Sequence, residues 1–253
     1  MNFRTQSRLN YLVKARHRGG HGIHSPFLFH LITTVIEDQK KIPAYKNYKD
    51  LKNRAQSLLS NLSDESLNKI CKEFNLRRLS LQNLYKKAEL SFRYGKLVCR
   101  LINYFKPSSI SNYGPSLGVN LAVIASLDDR IPVYQHTKNH EYHSLYDELL
   151  KDSALTNIYY EKEFSGPLAD SEFIIINYRY HPLRCQEVVY QILSTNEKNC
   201  TLIIIGIHES KEIELIWQEL IESRKISVSL DLFEIGIGII NKRLQKEDFV
   251  LRF

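Results

Sequence analysis

Two short runs limit what this chain can fold into: Phe173 to Asn177, "FIIIN", and Leu202 to Ile207, "LIIIGI". A strand with one wet face alternates apolar and polar side chains. These two do not alternate, so both of their faces must be covered. Each is followed by a helical stretch, first Leu183 to Leu193, then a segment with Ile213, Ile216, Trp217, Leu220 and Ile221 on one face. The same rhythm starts upstream. Ile110 to Tyr113 reads as a strand and Val119 to Leu127 as a helix; Ile131 to His136 and Glu141 to Lys151 repeat the pair, and Asn157 to Tyr160 is a further short strand. Strand-helix alternation predicts an α/β fold with a doubly wound, mostly parallel sheet. Ile226 to Leu232 and Ile235 to Asn241 break the alternation, with almost nothing between them. Strands joined that tightly must be antiparallel, so the sheet is expected to end in a hairpin. Asp248 to Phe253 would add an edge or pack beneath.

Residues 1–106 have a different character and read as a helical N-terminal extension, with 107–253 as the α/β domain. Ser25 can cap a helix whose first turn holds Pro26. Phe27, Leu28, Leu31, Ile32, Val35 and Ile36 then recur at helical spacing. Tyr48 to Leu59 and Leu67 to Leu84 are polar amphipathic candidates. Leu97, Val98, Leu101, Ile102 and Phe105 share a face of a last helix, which Pro107 stops.

Between the first strand and its helix, Gly114-Pro115-Ser116-Leu117-Gly118 spells G-x-S-x-G. Those letters describe a hydrolase nucleophile elbow or a glycine turn whose amides face a ligand. The elbow needs strands before it, and then an acid followed by a histidine. Here the upstream half is helical and no histidine follows Asp231; Glu187 before His208 is an order that chance supplies easily among nine histidines. The turn reading needs only a parallel strand, a tight turn and a helix N-terminus at the carboxyl end of the sheet. The plainest reading is a turn that merely connects strand to helix.

Bulk properties narrow the partners. The 253 residues are 43% hydrophobic, and no run approaches the ~18 apolar residues of a membrane span. Met1 to Arg18 is basic without an apolar segment, unlike a secretory signal. Cys71, Cys99, Cys185 and Cys200 form no metal or disulfide spacing and fit reduced thiols of a cytoplasmic protein. The net charge of +7 attracts polyanions only weakly, and nothing in the sequence excludes an oligomer.

Five blocks together resemble a known family. They are "RHRGGHGIHSPFLFHLIT" (Arg16 to Thr33), "GKLVCRLINYFKP" (Gly95 to Pro107), "GPSLG" (Gly114 to Gly118), "IHESKEIELIWQEL" (Ile207 to Leu220) and "DLFEIGIGII" (Asp231 to Ile240). The C-terminal half resembles class I S-adenosylmethionine-dependent methyltransferases. Within that class the chain is similar to a bacterial group that joins an HGxHSPF segment to the fold. The resemblance implies a Rossmann-like sheet of seven strands and methyl transfer to a small molecule, of the O-methyltransferase type. It implies a cofactor site in which Asn112, Gly114, Ser116, Leu117 and Gly118 approach the methionine part of S-adenosylmethionine. His136 and Thr137 would face the ribose, and Asn177 and Gly206 to His208 would line the cofactor and substrate space.

Several positions depart from the family pattern. Acids are expected where Asn112, Thr137 or His136, Asn177, and Ile205 with Gly206 stand. A carboxylate accepting hydrogen bonds contributes ~1.5–3 kcal/mol. Two lost contacts would weaken cofactor binding by about two to four orders of magnitude. Without those carboxylates no Mg²⁺ site is expected. The chemistry would then fall to an aligned nucleophile and a base, with His208 first, His181 behind it and Asn177 beside them. Each histidine has a plain alternative as a surface or capping residue. The rival function is a degenerate relative that has lost catalysis and serves as a binding or scaffold protein.

"KARHRGGHGIHSPF" (Lys14 to Phe27) adds a basic N-terminal cluster with no acid before Glu37. It reads as a grip on an acidic substrate, a nucleic-acid arm, or a solvated tail. No aromatic stacking pattern supports nucleic acid. His17, His21 and His24 imitate a metal cluster, but Arg16 and Arg18 beside them repel a cation.

Overall fold

A computed structural model describes residues 2–15, 22–40, 42–74, 80–137, 140–161, 168, 170–195 and 198–253. Arg16 to His21, the centre of the basic cluster, lie outside the described residues. One eight-stranded sheet runs through the molecule in the order β3-β2-β1-β4-β5-β7-β6-β8. The strands are β1 (Ile110–Tyr113), β2 (Val133–His136), β3 (Ile158–Glu161), β4 (Phe173–Asn177), β5 (Cys200–Ile205), β6 (Val228–Asp231), β7 (Ile235–Ile240) and β8 (Glu247–Val250). β1 to β5 are mutually parallel, while β7 runs antiparallel to both β5 and β6. The sheet has one strand more than the seven expected. The C-terminal segment takes the edge option, pairing parallel with β6 over Glu247 to Val250.

The two unalternated runs are buried on both faces, as their composition requires. Phe173, Ile175, Ile203 and Ile205 point into one core, while Ile174, Ile176, Leu202 and Ile204 point into another. The second core is closed by α9 (Pro182–Thr195) and α10 (Lys211–Glu222), which supply Val188, Ile192, Ile213 and Trp217. The first is closed by α7 (Val119–Ala125), α8 (His140–Leu150) and the N-terminal helices.

The N-terminal half contributes α1 (Phe3–Lys14), α2 (Pro26–Leu31), α3 (Tyr48–Ser60), α4 (Asp64–Glu73), α5 (Leu81–Ala88) and α6 (Phe92–Phe105). Ser25 caps α2, accepting from the Leu28 amide, and the helix runs on into a π turn over Ile32–Ile36. The stretch read as one helix from Leu67 to Leu84 is two, α4 and α5, each with its own serine N-cap, Ser63 and Ser80. A serine that accepts from the amide three residues on starts a helix anew, which the apolar spacing hid. α1, in the basic stretch ahead of Arg16, is a docked helix. Tyr11 anchors it by donating to the Leu251 carbonyl, and Arg4 pairs with Glu209 and Glu234. Residues of both halves share a single core cluster, with Leu31, Leu59, Leu84 and Leu97 packed alongside Ile110, Val133 and Phe173.

Candidate functional site

The chain reverses strand order between β1 and β4, and in open α/β sheets ligands bind beyond the carboxyl ends of the strands at that switch. The β1–α7 turn lies there. Gly118, the N-cap residue of α7, has φ 87°, and a Cβ on it would come 2.9 Å from Leu149 Cδ2 and 3.0 Å from Tyr146 Cδ1. Glycine is therefore required twice, by the backbone and by the closeness of α8. A glycine N-cap brings no side-chain acceptor, so the first amides of α7 need a partner from elsewhere.

That partner is Glu89, between α5 and α6. Its Oε1 accepts from Ser116 Oγ at 2.8 Å and from the Leu117 amide at 2.6 Å. Its Oε2 accepts from the Asn120 amide at 2.9 Å and from the Asn120 side chain. The carboxylate is 3% exposed. Burial pushes its pKa up, and the hydrogen bonds from Asn120, Ser116 and Leu117 oppose that shift. The remaining groups of the turn are also engaged. Tyr146 Oη accepts from the Ser116 amide at 3.2 Å and donates to its carbonyl at 2.8 Å, and Ser116 Oγ accepts from the Gly118 amide at 3.0 Å. The Ser116 hydroxyl thus points to a carboxylate and not to an imidazole, which removes the nucleophile reading.

The other expected cofactor residues sit at the neighbouring strand ends, and their polar groups are bonded within the protein. Asn112 Nδ2 donates to Gln135 Oε1 at 2.6 Å, and Gln135 Nε2 donates to the Gly114 carbonyl at 2.7 Å. His136 is fully buried, with Nε2 3.0 Å from Ser111 Oγ, and the Thr137 amide bonds the Glu161 carbonyl. Asn177 donates to the Lys87 carbonyl at 3.0 Å and accepts from the Arg179 amide at 3.1 Å. Arg179 crosses the space over β5. Its Cγ stands 2.7 Å from where a Cβ on Gly206 (φ 88°) would be, and its guanidinium reaches Glu234 at 2.6 Å and the Lys86 carbonyl at 3.1 Å.

His208 lies on the far side of this network, after β5. Its Nδ1 is 2.7 Å from Glu214 Oε2 and its Nε2 2.8 Å from Asp231 Oδ2, and its ring stacks on Phe233. Burial lowers its pKa, but the hydrogen bonds and charges of Asp231 and Glu214 outweigh burial and raise it. A histidine bracketed in this way holds a proton and has no free lone pair with which to take another. His181 is exposed, lies edge-on to Tyr180 and precedes α9, where its carbonyl accepts from Cys185. The structure does not bring His181 and His208 together over the turn. Sequence reasoning missed Glu89, Gln135, Tyr146 and Arg179. Glu89 left one faint trace, a carboxylate set between Ala88 and Leu90 just ahead of an apolar helix.

Among the described residues, the space beside the turn does not fit S-adenosylmethionine. The hollow bounded by Glu89, Asn112, Ser116, Asn120 and Asn177 measures about 20 Å³. Small-molecule sites run to roughly 300–1,000 Å³. The turn amides that would meet the cofactor already meet a carboxylate.

No family model matches this sequence, and no curated protein matches it. Solved structures do resemble it. An O-methyltransferase from Bacillus cereus in complex with SAH is 11% identical with a TM-score of 0.50, covering 77% of this chain and 100% of its own. An O-methyltransferase from Streptomyces achromogenes involved in tomaymycin synthesis, in complex with SAM, is 10% identical with a TM-score of 0.50, covering 76% and 97%. A SAH-bound methyltransferase from Podospora anserina is 11% identical with a TM-score of 0.50, covering 80% and 99%. Parallel β1 to β5, the reversal at β1/β4 and the antiparallel β7 together give this chain the Rossmann-like methyltransferase fold.

Proposed function

We propose that this chain is a methyltransferase-fold protein whose cleft is filled by its own side chains, and that it serves as a binding or scaffold protein. The observation that carries this reading is the Glu89 carboxylate on the Leu117 amide of the turn and the Asn120 amide in the first turn of α7. A helix N-terminus attracts one anion or polar group, and here that group is covalently part of the chain. The mutual bonding of Asn112 and Gln135, and the passage of Arg179 over Gly206, support it from the neighbouring strand ends. The competing reading is S-adenosylmethionine-dependent methyl transfer to a small molecule. It requires Glu89 to leave its four donors and α5 to draw back from β4.

Thermal unfolding with S-adenosylmethionine and S-adenosylhomocysteine at millimolar concentration separates the two. A ligand at 100 times its dissociation constant stabilises the folded state by about 2.7 kcal/mol. No shift is expected. A saturable shift in the unmodified chain would restore the methyltransferase reading.

A further inference from the structure

A recess of about 570 Å³ opens beside the first two turns of α6, and it shares no lining residue with the cleft. Its walls are Ile36 to Lys40, the α6 residues Phe92, Arg93, Lys96 and Arg100, and the C-terminal pair Arg252 and Phe253. Arg93, Lys96 and Arg100 follow one another at steps of three and four, so a single helix face presents three cations. Arg100 has structural work: its Nε donates to the Val35 carbonyl at 2.6 Å and its Nη2 to the Ile36 carbonyl at 3.0 Å.

The other cations are differently placed. Among the described residues, no carboxylate lies within ion-pair distance of Arg93, Lys96 or Arg252. The Arg93 guanidinium sits 4.3 Å from the centre of the Phe253 ring, and the Lys96 ammonium sits 4.6 Å from that of Phe92. An aromatic face holds a cation in position without neutralising it. The helix adds charge of the same sign. Ser91, the N-cap of α6, makes no side-chain bond to the helix, and no acid occupies the first turn. Against Lys40, Arg93, Lys96, Arg100 and Arg252, the lining side chains offer two carboxylates, Glu37 and Asp38. The volume falls within the ~300–1,000 Å³ usual for small ligands.

We propose that this recess binds a phosphate-bearing small molecule, its phosphate held by Arg93, Lys96 and Arg252. The lining side chains carry a surplus of three positive charges, five cations against two carboxylates, and a phosphomonoester brings about two negative charges at neutral pH. Guanidinium forks match phosphate oxygens in bidentate geometry.

Calorimetric titration of the full chain tests the assignment, with pyrophosphate, citrate and a single-stranded oligonucleotide as probes. The expected result is saturable one-to-one binding of pyrophosphate that weakens as salt is raised. The double variant Arg93→Ala/Lys96→Ala is expected to weaken it by roughly tenfold or more, as loss of two charge-assisted contacts requires. No saturable binding at about 10 mM pyrophosphate, where even a millimolar site would fill, overturns the proposal. Equal affinity for citrate overturns the choice of phosphate. An oligonucleotide that binds more tightly and is lost with the same variant makes the face a polymer surface instead. None of these outcomes depends on whether the cleft accepts S-adenosylmethionine, so the two readings fail separately.

Discussion

At the β1–α7 turn the chain meets the Leu117 and Asn120 amides with its own Glu89, whereas at the α6 recess no carboxylate among the described residues lies within ion-pair distance of Arg93, Lys96 or Arg252. Solvent explains the difference. The turn is sealed under α5 and α8, where an unpaired donor costs free energy that water cannot return. A side chain must fill it for the fold to persist. The recess is open, water satisfies its cations, and nothing forces an internal partner on them. A site kept for a ligand is thus to be sought where charges are held in place yet still wet. Among the described residues, the ends of β1 and β4, where the fold would direct attention first, are buried and internally bonded.

Glu89→Ala is expected to have the largest effect. It strips one acceptor from Ser116 Oγ and from the Leu117 and Asn120 amides inside a sealed space. Each buried group left unsatisfied costs about 1–3 kcal/mol, so a loss near 3 kcal/mol or more is expected. In a chain of this size that lowers the thermal midpoint by on the order of 10 °C. A midpoint within about 2 °C of the parent, equivalent to less than ~1 kcal/mol, would show that the amides do not need the carboxylate. The contrast with the recess would then vanish.

A smaller effect is expected at His208, the partly buried imidazole bracketed by Glu214 and Asp231. The folded protein raises its pKa above the ordinary histidine value of 6.5, so its contribution is complete below pH 6.5 and is lost as pH rises through the folded value. Glu214 runs the other way. Burial raises its pKa, but the bonds from Ser7 and His208 outweigh burial and lower it below 4.5. Its contribution is complete above pH 4.5 and is lost as pH falls through the folded value. Together they place the strongest hold of this cluster between pH 4.5 and 6.5. Denaturation midpoints of the parent should fall as pH rises above 6.5, and His208→Gln should flatten that slope. Parallel pH profiles for parent and variant would remove His208 from the account.

The fold was largely legible in the residues because its signals are local. Two-sided burial shows in "FIII" and "LIII", and the hairpin shows in the short gap between Leu232 and Ile235. The expected cofactor residues were also found at one place, since a turn and the ends of neighbouring strands must meet in this topology. What fills that place was not legible. Glu89 meets Ser116, Leu117 and Asn120 across 27 to 31 residues. Arg179 spans 55 residues to Glu234, and Tyr146 reaches 30 back to Ser116. Such pairs leave no periodic trace, because each depends on how whole helices dock. The π turn at Ile32–Ile36 and the break between α4 and α5 were hidden for a related reason: apolar spacing registers a buried face and not where a helix pauses.

The smallest expected effect is the stability change in Arg93→Ala/Lys96→Ala. Exposed cation–π contacts are worth about 0.5–1 kcal/mol each. Among the described residues neither side chain has an ion pair to lose, and substituting alanine near the start of α6 slightly favours the helix. The double variant should therefore unfold within a few degrees of the parent, a few times less than the Glu89→Ala shift. Differential scanning calorimetry on the three proteins checks this ordering. A loss as large as that of Glu89→Ala would mean that the rings and cations brace the C-terminal segment against α6. The recess would then be a structural joint, as sealed in its energetics as the turn, and its charges would not be waiting for anything.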